Sequence, residues 1–123
     1  METVRVLVVD DQEPFRLAAS AVIEAAAGFE LVGVAETGDA SVDLAEERRP
    51  DLVLMDVHLP GMSGPAATRA LRRLEPAPVV FLVSTYDESE CDGETQECGA
   101  SAYIRKSLLE PGLLRRTWEA VRR

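Results

Sequence analysis

The sequence predicts an α/β fold, a five-stranded parallel sheet covered by helices on both faces. Three observations carry that expectation. Five short apolar runs alternate along the chain with five segments of helical character. Two of the runs, Leu52 to Met55 and Val79 to Val83, are continuously apolar, as strands buried on both faces must be. The 123 residues suffice for one hydrophobic core.

The elements follow in order. Val4 to Val9 is the first strand and ends at Asp10-Asp11. Glu13 to Ala27 reads as a helix, with Pro14 in its first turn, a buried stripe of Phe15, Ala18, Val22 and Ala26, and Gly28 as its stop. Leu31 to Ala35 is the second strand. A helix opens at Gly38-Asp39 with Asp39 as N-cap, turns Ser41, Val42 and Ala45 inward, and stops before Pro50. Leu52 to Met55 forms the third strand and ends at Asp56. After the loop His58 to Gly64, Pro65 begins a third helix carrying Ala67, Ala70, Leu71 and Leu74. Val79 to Val83 is the fourth strand and ends at Ser84-Thr85. Asp87 to Cys98 should be the fourth helix, stopped by Gly99, and Ala102 to Arg105 the fifth strand. Leu109 to Val121 closes the chain as a helix with an apolar face of Leu113, Leu114, Trp118 and Val121. Right-handed crossovers leave few ways to arrange five such units. The common one is strand order 2-1-3-4-5, a flavodoxin-like (βα)5 three-layer sandwich.

Charge narrows the function. A net charge of −9 repels nucleic acid and membrane surfaces. No apolar run approaches the roughly 20 residues of a membrane span, and Met1-Glu2-Thr3 leads straight into a strand without signal-peptide character, so a soluble cytoplasmic domain is expected. Cys91 and Cys98 lie about 10.5 Å apart on a regular helix, too far for a disulfide, and are expected to be reduced thiols. Lys106 is the only lysine in the chain.

In an open parallel sheet, ligands bind beyond the carboxyl ends of the strands, where the strand order reverses. Here that point lies between the first strand, ending in Asp10-Asp11, and the third, ending in Asp56. Three carboxylates at one edge repel one another unless a cation neutralises them, and Mg²⁺ suits oxygen ligands. The fourth strand ends in the hydroxyl of Ser84 and the fifth one residue before Lys106. Taken singly, these residues read as turn caps and solvated charges. Together they are the inventory for phosphoryl transfer to a carboxylate: Asp56 attacks, the metal and Lys106 neutralise the equatorial oxygens, and Ser84 hydrogen-bonds the attached group.

These residues resemble the receiver domain of bacterial two-component response regulators over essentially the whole chain. The likeness rests on Val8-Val9-Asp10-Asp11, on Met55-Asp56-Val57-His58-Leu59-Pro60-Gly61-Met62-Ser63-Gly64, on Ser84-Thr85, and on Gly99 to Lys106. The intervals agree as well: 45 residues from Asp11 to Asp56, 28 on to Ser84 and 22 on to Lys106. The resemblance implies that Asp10 and Asp11 form the acidic pair, Asp11 being the more direct Mg²⁺ ligand. Asp56 is the phosphoacceptor and a ligand, and the His58 backbone carbonyl completes the protein's share of the shell. Ser84 is the switch hydroxyl, Thr85 the small residue that sets access, Tyr103 the aromatic switch that turns inward as Ser84 moves, and Lys106 the ion-pair partner of the acidic centre. The His58 side chain occupies a position that tunes phosphorylation and hydrolysis rates. The implied phosphodonor is a phosphohistidine on a sensor histidine kinase. The domain catalyses only its own phosphorylation and slow dephosphorylation, so it is a switch rather than a turnover enzyme.

Gln12 to Arg16 and Gly33 to Gly38 look like the NarL/LuxR-type branch, whose members carry a C-terminal helix-turn-helix DNA-binding domain. Residues 1–123 then form a single receiver domain, and DNA would be reached only through an output domain outside this chain, with homodimerisation or release of that domain as readout. The alternative is a stand-alone or degenerate receiver acting as a phosphorylation-independent interaction module. A flavodoxin-type redox protein shares the topology, but Asp10-Asp11-Gln12-Glu13 would repel a flavin phosphate. Two departures from the family stand out. Ser107 replaces the proline that often follows the lysine, so the Lys106–Ser107 peptide is expected to be trans. Residues 87–98 make a poor helix, interrupted by Gly93 and nearly without an apolar stripe, so that segment should be short, mobile or displaced.

Overall fold

The computed structural model describes residues 3–122. Five parallel strands form one sheet: β1 (Val4–Val9), β2 (Phe29–Ala35), β3 (Leu52–Asp56), β4 (Val79–Ser84) and β5 (Ala102–Arg105). Their order is β2-β1-β3-β4-β5, as expected. The helices α1 (Glu13–Ala25), α2 (Gly38–Arg48), α3 (Gly64–Leu71), α4 (Gly93–Glu97) and α5 (Pro111–Arg122) connect or follow them.

The two-residue period of a strand sorts the core into two layers. Leu7, Val9, Val53, Met55, Val80 and Leu82 face one way and pack with Ala45, Ala67 and Leu71 of α2 and α3. Val6, Val8, Leu52, Leu54, Phe81 and Val83 face the other way and pack with Ala19, Ile23 and Leu114 of α1 and α5. Every residue of β3 is buried, which explains why its sequence shows no polar alternation. β1 pairs with β2 and β3, so the sheet's reversal point lies where Asp10 and Asp56 emerge.

Several boundaries differ from the sequence reading. Helix α1 ends at Ala25, where Ala26 turns extended, and Gly28 occupies the following turn at φ 87°. Its buried stripe runs through Ala19 and Ile23, and Ala18 is exposed. A four-residue step from Phe15 keeps the stripe on the sheet, whereas a three-residue step to Ala18 rotates off it. Strand β2 begins two residues earlier than expected, because Phe29 and Glu30 pair with Val4 and Arg5. Thr37, not Asp39, caps α2: its hydroxyl accepts from the Ala40 N–H at 3.0 Å. Helix α3 begins one residue early, with Ser63 accepting from the Ala66 N–H, and stops at Leu71, short of Leu74. Helix α5 starts at Pro111 rather than Leu109, because residues Lys106–Leu108 form a 3₁₀ turn and the Glu110 carboxylate accepts from the Gly112 and Leu113 N–H groups at 2.7 and 2.9 Å. The Lys106–Ser107 peptide is trans.

The weak fourth helix is short, as its composition implied. Residues Glu88–Glu90 form a 3₁₀ turn capped by Asp87, and α4 is five residues capped by Asp92. Backbone N–H groups of Ser89 and Thr95 hold the Asp87 and Asp92 carboxyls below the usual carboxylate range. Thr95 and Cys98 are this segment's buried anchors. Cys91 and Cys98 are free thiols.

Gly64 brings α3 against the end of β3. Its N–H donates to the Val57 carbonyl at 3.1 Å, and a Cβ at this position would collide with the Asp56 carbonyl. We therefore expect Gly64→Ala to lower stability by about 2–4 kcal/mol in urea denaturation, since only backbone movement makes room. Hydrogen exchange should separate α4 from the sheet: amides of residues 88–97 lose protection early, while those of β3 persist. Equal protection in the two segments would contradict this.

Candidate functional site

Burial of the sheet forces polar residues to its ends, and the ends of four strands, β1, β3, β4 and β5, supply the site. Asp10 follows β1 and is fully buried. Its Oδ1 accepts from the Gln12 N–H at 2.8 Å, and its backbone carbonyl accepts from the Arg16 guanidinium at 2.8 Å. Asp11, next in the chain, is exposed and opens onto a cleft of about 550 Å³. Asp56, the last residue of β3, is 4 % exposed and forms the floor of that cleft. One carboxylate oxygen from each of Asp10, Asp11 and Asp56 lies within 4.8 Å of the other two.

Lys106 answers this charge. Its ammonium lies 2.6 Å from Asp10 Oδ2 and 3.4 Å from Asp56 Oδ1. Asp56 also accepts a long bond, 3.4 Å, from the His58 N–H. These attractions do not balance the opposing effects. Burial first, and the Asp10 charge second, push the Asp56 carboxyl up to about 6.

The remaining predicted residues line or back the same cleft. Thr85 and His58 stand exposed at its rim. Ser84 is fully buried, and its Oγ accepts from the Tyr86 N–H at 3.0 Å. The Tyr103 hydroxyl donates to the Tyr86 carbonyl at 2.8 Å and lies 3.1 Å from the Cys91 thiol. Burial, and then the Cys91 contact, push Tyr103 up to about 12, so its hydroxyl remains a donor at physiological pH. The structure thus brings Asp10, Asp11, Asp56 and Lys106 into direct proximity and leaves Tyr103 one loop away, joined to Ser84 through Tyr86.

Sequence reasoning did not single out Cys91 and Tyr86 as neighbours of Tyr103, and it placed Phe15 only in the core. The Lys106 ammonium lies 4.5 Å from the centre of the Phe15 ring. It also missed Gly64 as the residue that lets α3 abut Asp56. The position of Gly64 directly after the Asp56 loop and before a proline was a usable signal.

This chain belongs to the response regulator receiver domain family, whose sequence model matches residues 6–117. Receiver domains are the phosphoacceptor switches of two-component systems; they interact with histidine kinases and bind Mg²⁺ in an acidic pocket. Among curated proteins, the chain is 37% identical over 103 residues to the response regulator GacA of Pseudomonas aeruginosa, covering 84% of this chain and 48% of that protein. It is 39% identical over 108 residues to a protein-glutamate methylesterase/protein-glutamine glutaminase of Alkalilimnicola ehrlichii, covering 87% of this chain and 28% of that protein. The chain therefore spans half or less of these relatives. Among solved structures, the receiver domain of the response regulator NarL from Mycobacterium tuberculosis superposes with a TM-score of 0.88 at 28% identity, covering 99% and 98% of the two chains. A LuxR-family response regulator from Aurantimonas sp. gives 0.85 at 32% identity, covering 98% of this chain and 85% of that one. Among the described residues, no helix is long and apolar enough to cross a membrane.

The raised Asp56 pKa has a stability consequence. The folded metal-free protein holds this proton more tightly than the unfolded chain, whose carboxyl titrates near 3.8. The contribution is therefore fully present below about pH 4 and is lost as pH rises to about 6. Asp56→Asn should stabilise the metal-free protein by roughly 1–2 kcal/mol at pH 7.5, with the advantage vanishing at pH 4. Thermal denaturation of both proteins across that range, with chelator present, checks the sign.

Proposed function

We propose that Asp56 accepts a phosphoryl group from a phosphohistidine of a sensor histidine kinase, and that the domain formed by residues 1–123 relays this event to an output. The observation that carries the reading is the joint position of Asp56: floor of an open cleft, ligand oxygens within 4.8 Å of Asp10 and Asp11, and the chain's single lysine 3.4 Å away.

The site suits a hard divalent cation. All three side-chain donors are carboxylate oxygens, and Asp56, raised by burial first and by the Asp10 charge second, is a carboxylate whose ionised form a cation would favour. Asp10, Asp11, Asp56 and the His58 backbone carbonyl are the proposed Mg²⁺ holders. When bound, Mg²⁺ supplies charge neutralisation for the phosphoryl oxygens. The protein residues do the rest. An ionised Asp56 oxygen forms the new O–P bond as the P–N bond to the donor imidazole breaks, leaving the electron pair on that nitrogen. Lys106, fixed by Asp10, faces the equatorial oxygens. Thr85 and His58 at the rim govern how water approaches the acyl phosphate.

The outward signal uses Ser84. Its hydroxyl can turn from Tyr86 to a phosphoryl oxygen on Asp56, releasing the Tyr86 N–H and shifting the loop that anchors Tyr103. Tyr103 packs against the core layer of β3 and β4, so its position couples the site to the surface near α4. Transcription through a C-terminal helix-turn-helix domain is the output that best fits similarity to GacA and to a LuxR-family regulator, with the cytoplasm as location. The likeness to a protein-glutamate methylesterase/protein-glutamine glutaminase, matched over 28% of its length, names an enzymatic output as the second possibility.

The test is intact-mass measurement after incubation with a small acyl phosphate and MgCl₂. Wild type should gain one phosphoryl group and Asp56→Asn none, with Lys106→Ala slowed at least about tenfold. Equal labelling of wild type and Asp56→Asn would refute Asp56 as acceptor. Absence of labelling in both would favour a phosphorylation-independent interaction module.

A further inference from the structure

The Lys106 ammonium has three neighbours, and only two of them are carboxylates. It contacts Asp10 Oδ2 at 2.6 Å and Asp56 Oδ1 at 3.4 Å, and its third side meets the face of the Phe15 ring, 4.5 Å from the centroid. A lysine stem carries four rotatable bonds, so two unequal ion pairs alone leave the ammonium free to move toward the nearer carboxylate. The electron-rich face of an aromatic ring attracts a cation and excludes water from that side. The Lys106 side chain is accordingly only 16% exposed, although it borders an open cleft.

The ring is itself held in place. Phe15 lies in the first turn of α1, directly after the Asp10-Asp11 pair. That turn is tied to Asp10 twice, through the Gln12 N–H on its carboxylate and the Arg16 guanidinium on its backbone carbonyl. Arg16 also reaches Glu36 at 3.8 Å. Phe15 is partly buried and packs against the core layer that includes Val6, Val8 and Ile23. One rigid segment thus presents both the acidic pair and an aromatic wall for the cation that answers it.

We propose that Phe15 is a positioning residue for phosphoryl transfer, acting through Lys106. The inference rests on Asp56 being the phosphoacceptor. The ring covers one side of the ammonium and keeps its charge unscreened there for the incoming phosphoryl oxygens. Loss of the aromatic face leaves Asp56 and the acidic pair in place but lets Lys106 wander, so the rate of acceptor labelling falls while the fold persists.

The experiment follows Asp56 labelling of the 123-residue chain by intact mass, with a small acyl phosphate as donor so that no kinase contact is involved. Phe15→Leu should slow labelling about three- to tenfold, and Phe15→Tyr should stay within about twofold of wild type. In a Lys106→Ala background, Phe15→Leu should have no further effect. A series with mono-, di- and trifluorophenylalanine at position 15 preserves shape and withdraws charge from the ring face, so the rate should fall in that order; this series decides the matter if Phe15→Leu does not fold. Rates that are flat across the fluorinated series, or a Phe15→Leu effect that persists without Lys106, would overturn the proposal and reduce Phe15 to a core residue. If wild type is labelled at Asp56 and Lys106→Ala is slow, such a result removes this inference alone. If wild type takes no label at Asp56, the reading of the site fails and this inference with it.

Discussion

The constraint on which the rest of the structure depends is the meeting of three carboxylates at the ends of two adjacent buried strands. Parallel pairing of β1 with β3 puts Asp10 and Asp56 side by side, with Asp11 at the cleft mouth. Such an arrangement is unfavourable on its own, because burial removes the water that would screen the charges. The fold opposes the repulsion with rigid surroundings. Both core layers are filled with side chains from the same strands, and Gly64 lets α3 press against the backbone of Asp56. Lys106 lies nearer to Asp10 than to Asp56, and burial first and the Asp10 charge second displace the Asp56 pKa upward against its pull.

The route from the site to the surface is made of weaker material. Ser84, Tyr86, Tyr103 and Cys91 are linked by single hydrogen bonds of 2.8–3.1 Å. The segment they border contains a 3₁₀ turn and a five-residue helix, with Thr95 and Cys98 as buried anchors. A chain of single bonds ending on a lightly anchored segment can change arrangement at low cost, whereas the sheet cannot. A tightly packed strand end at Asp56 and a lightly anchored segment beside Tyr103 are therefore consequences of how apolar residues are distributed between 52–56 and 87–98.

The strands and the charged site were legible in the sequence because both rest on strong, local signals. Continuous apolar runs mark buried strands, and a parallel sheet places whatever follows each run at one edge. That is why Asp10, Asp56, Ser84 and Lys106 are grouped by the sequence alone. The short α4 was legible for the converse reason, a helix-length segment with Gly93 and almost nothing to bury. What escaped was anything decided by competition between similar neighbours. Thr37 and Asp39 are both capping residues, and the register of Ser41 and Ala45 against the sheet selects the first. Ala18 and Ala19 are identical side chains, and only the crossing of α1 over the sheet tells them apart. Phe15 was placed in the core and is partly there, but its contact with Lys106 joins residues 91 positions apart, which no periodicity reveals.

The upward displacement of Asp56 is not a defect that a better sequence would remove. A carboxylate already satisfied by nearby donors would gain little from a cation or from conversion to an acyl phosphate, and the two states of the domain would differ little in free energy. Because ionised Asp56 is buried beside Asp10 with one long contact to Lys106, any event that neutralises or redistributes this charge changes the balance between arrangements of its surroundings. A ligand shifts an equilibrium only by its differential affinity for the two states, so, on the proposed reading of Asp56 as acceptor, a poorly compensated site would give phosphorylation leverage. The same reasoning explains why the lysine must be held rather than merely present. A wandering ammonium would neutralise Asp10 and Asp56 in turn and blur the difference between resting and modified states. On the proposed mechanism, an ammonium held by Asp10 and the Phe15 ring would leave Asp56 as the group through which that difference is expressed.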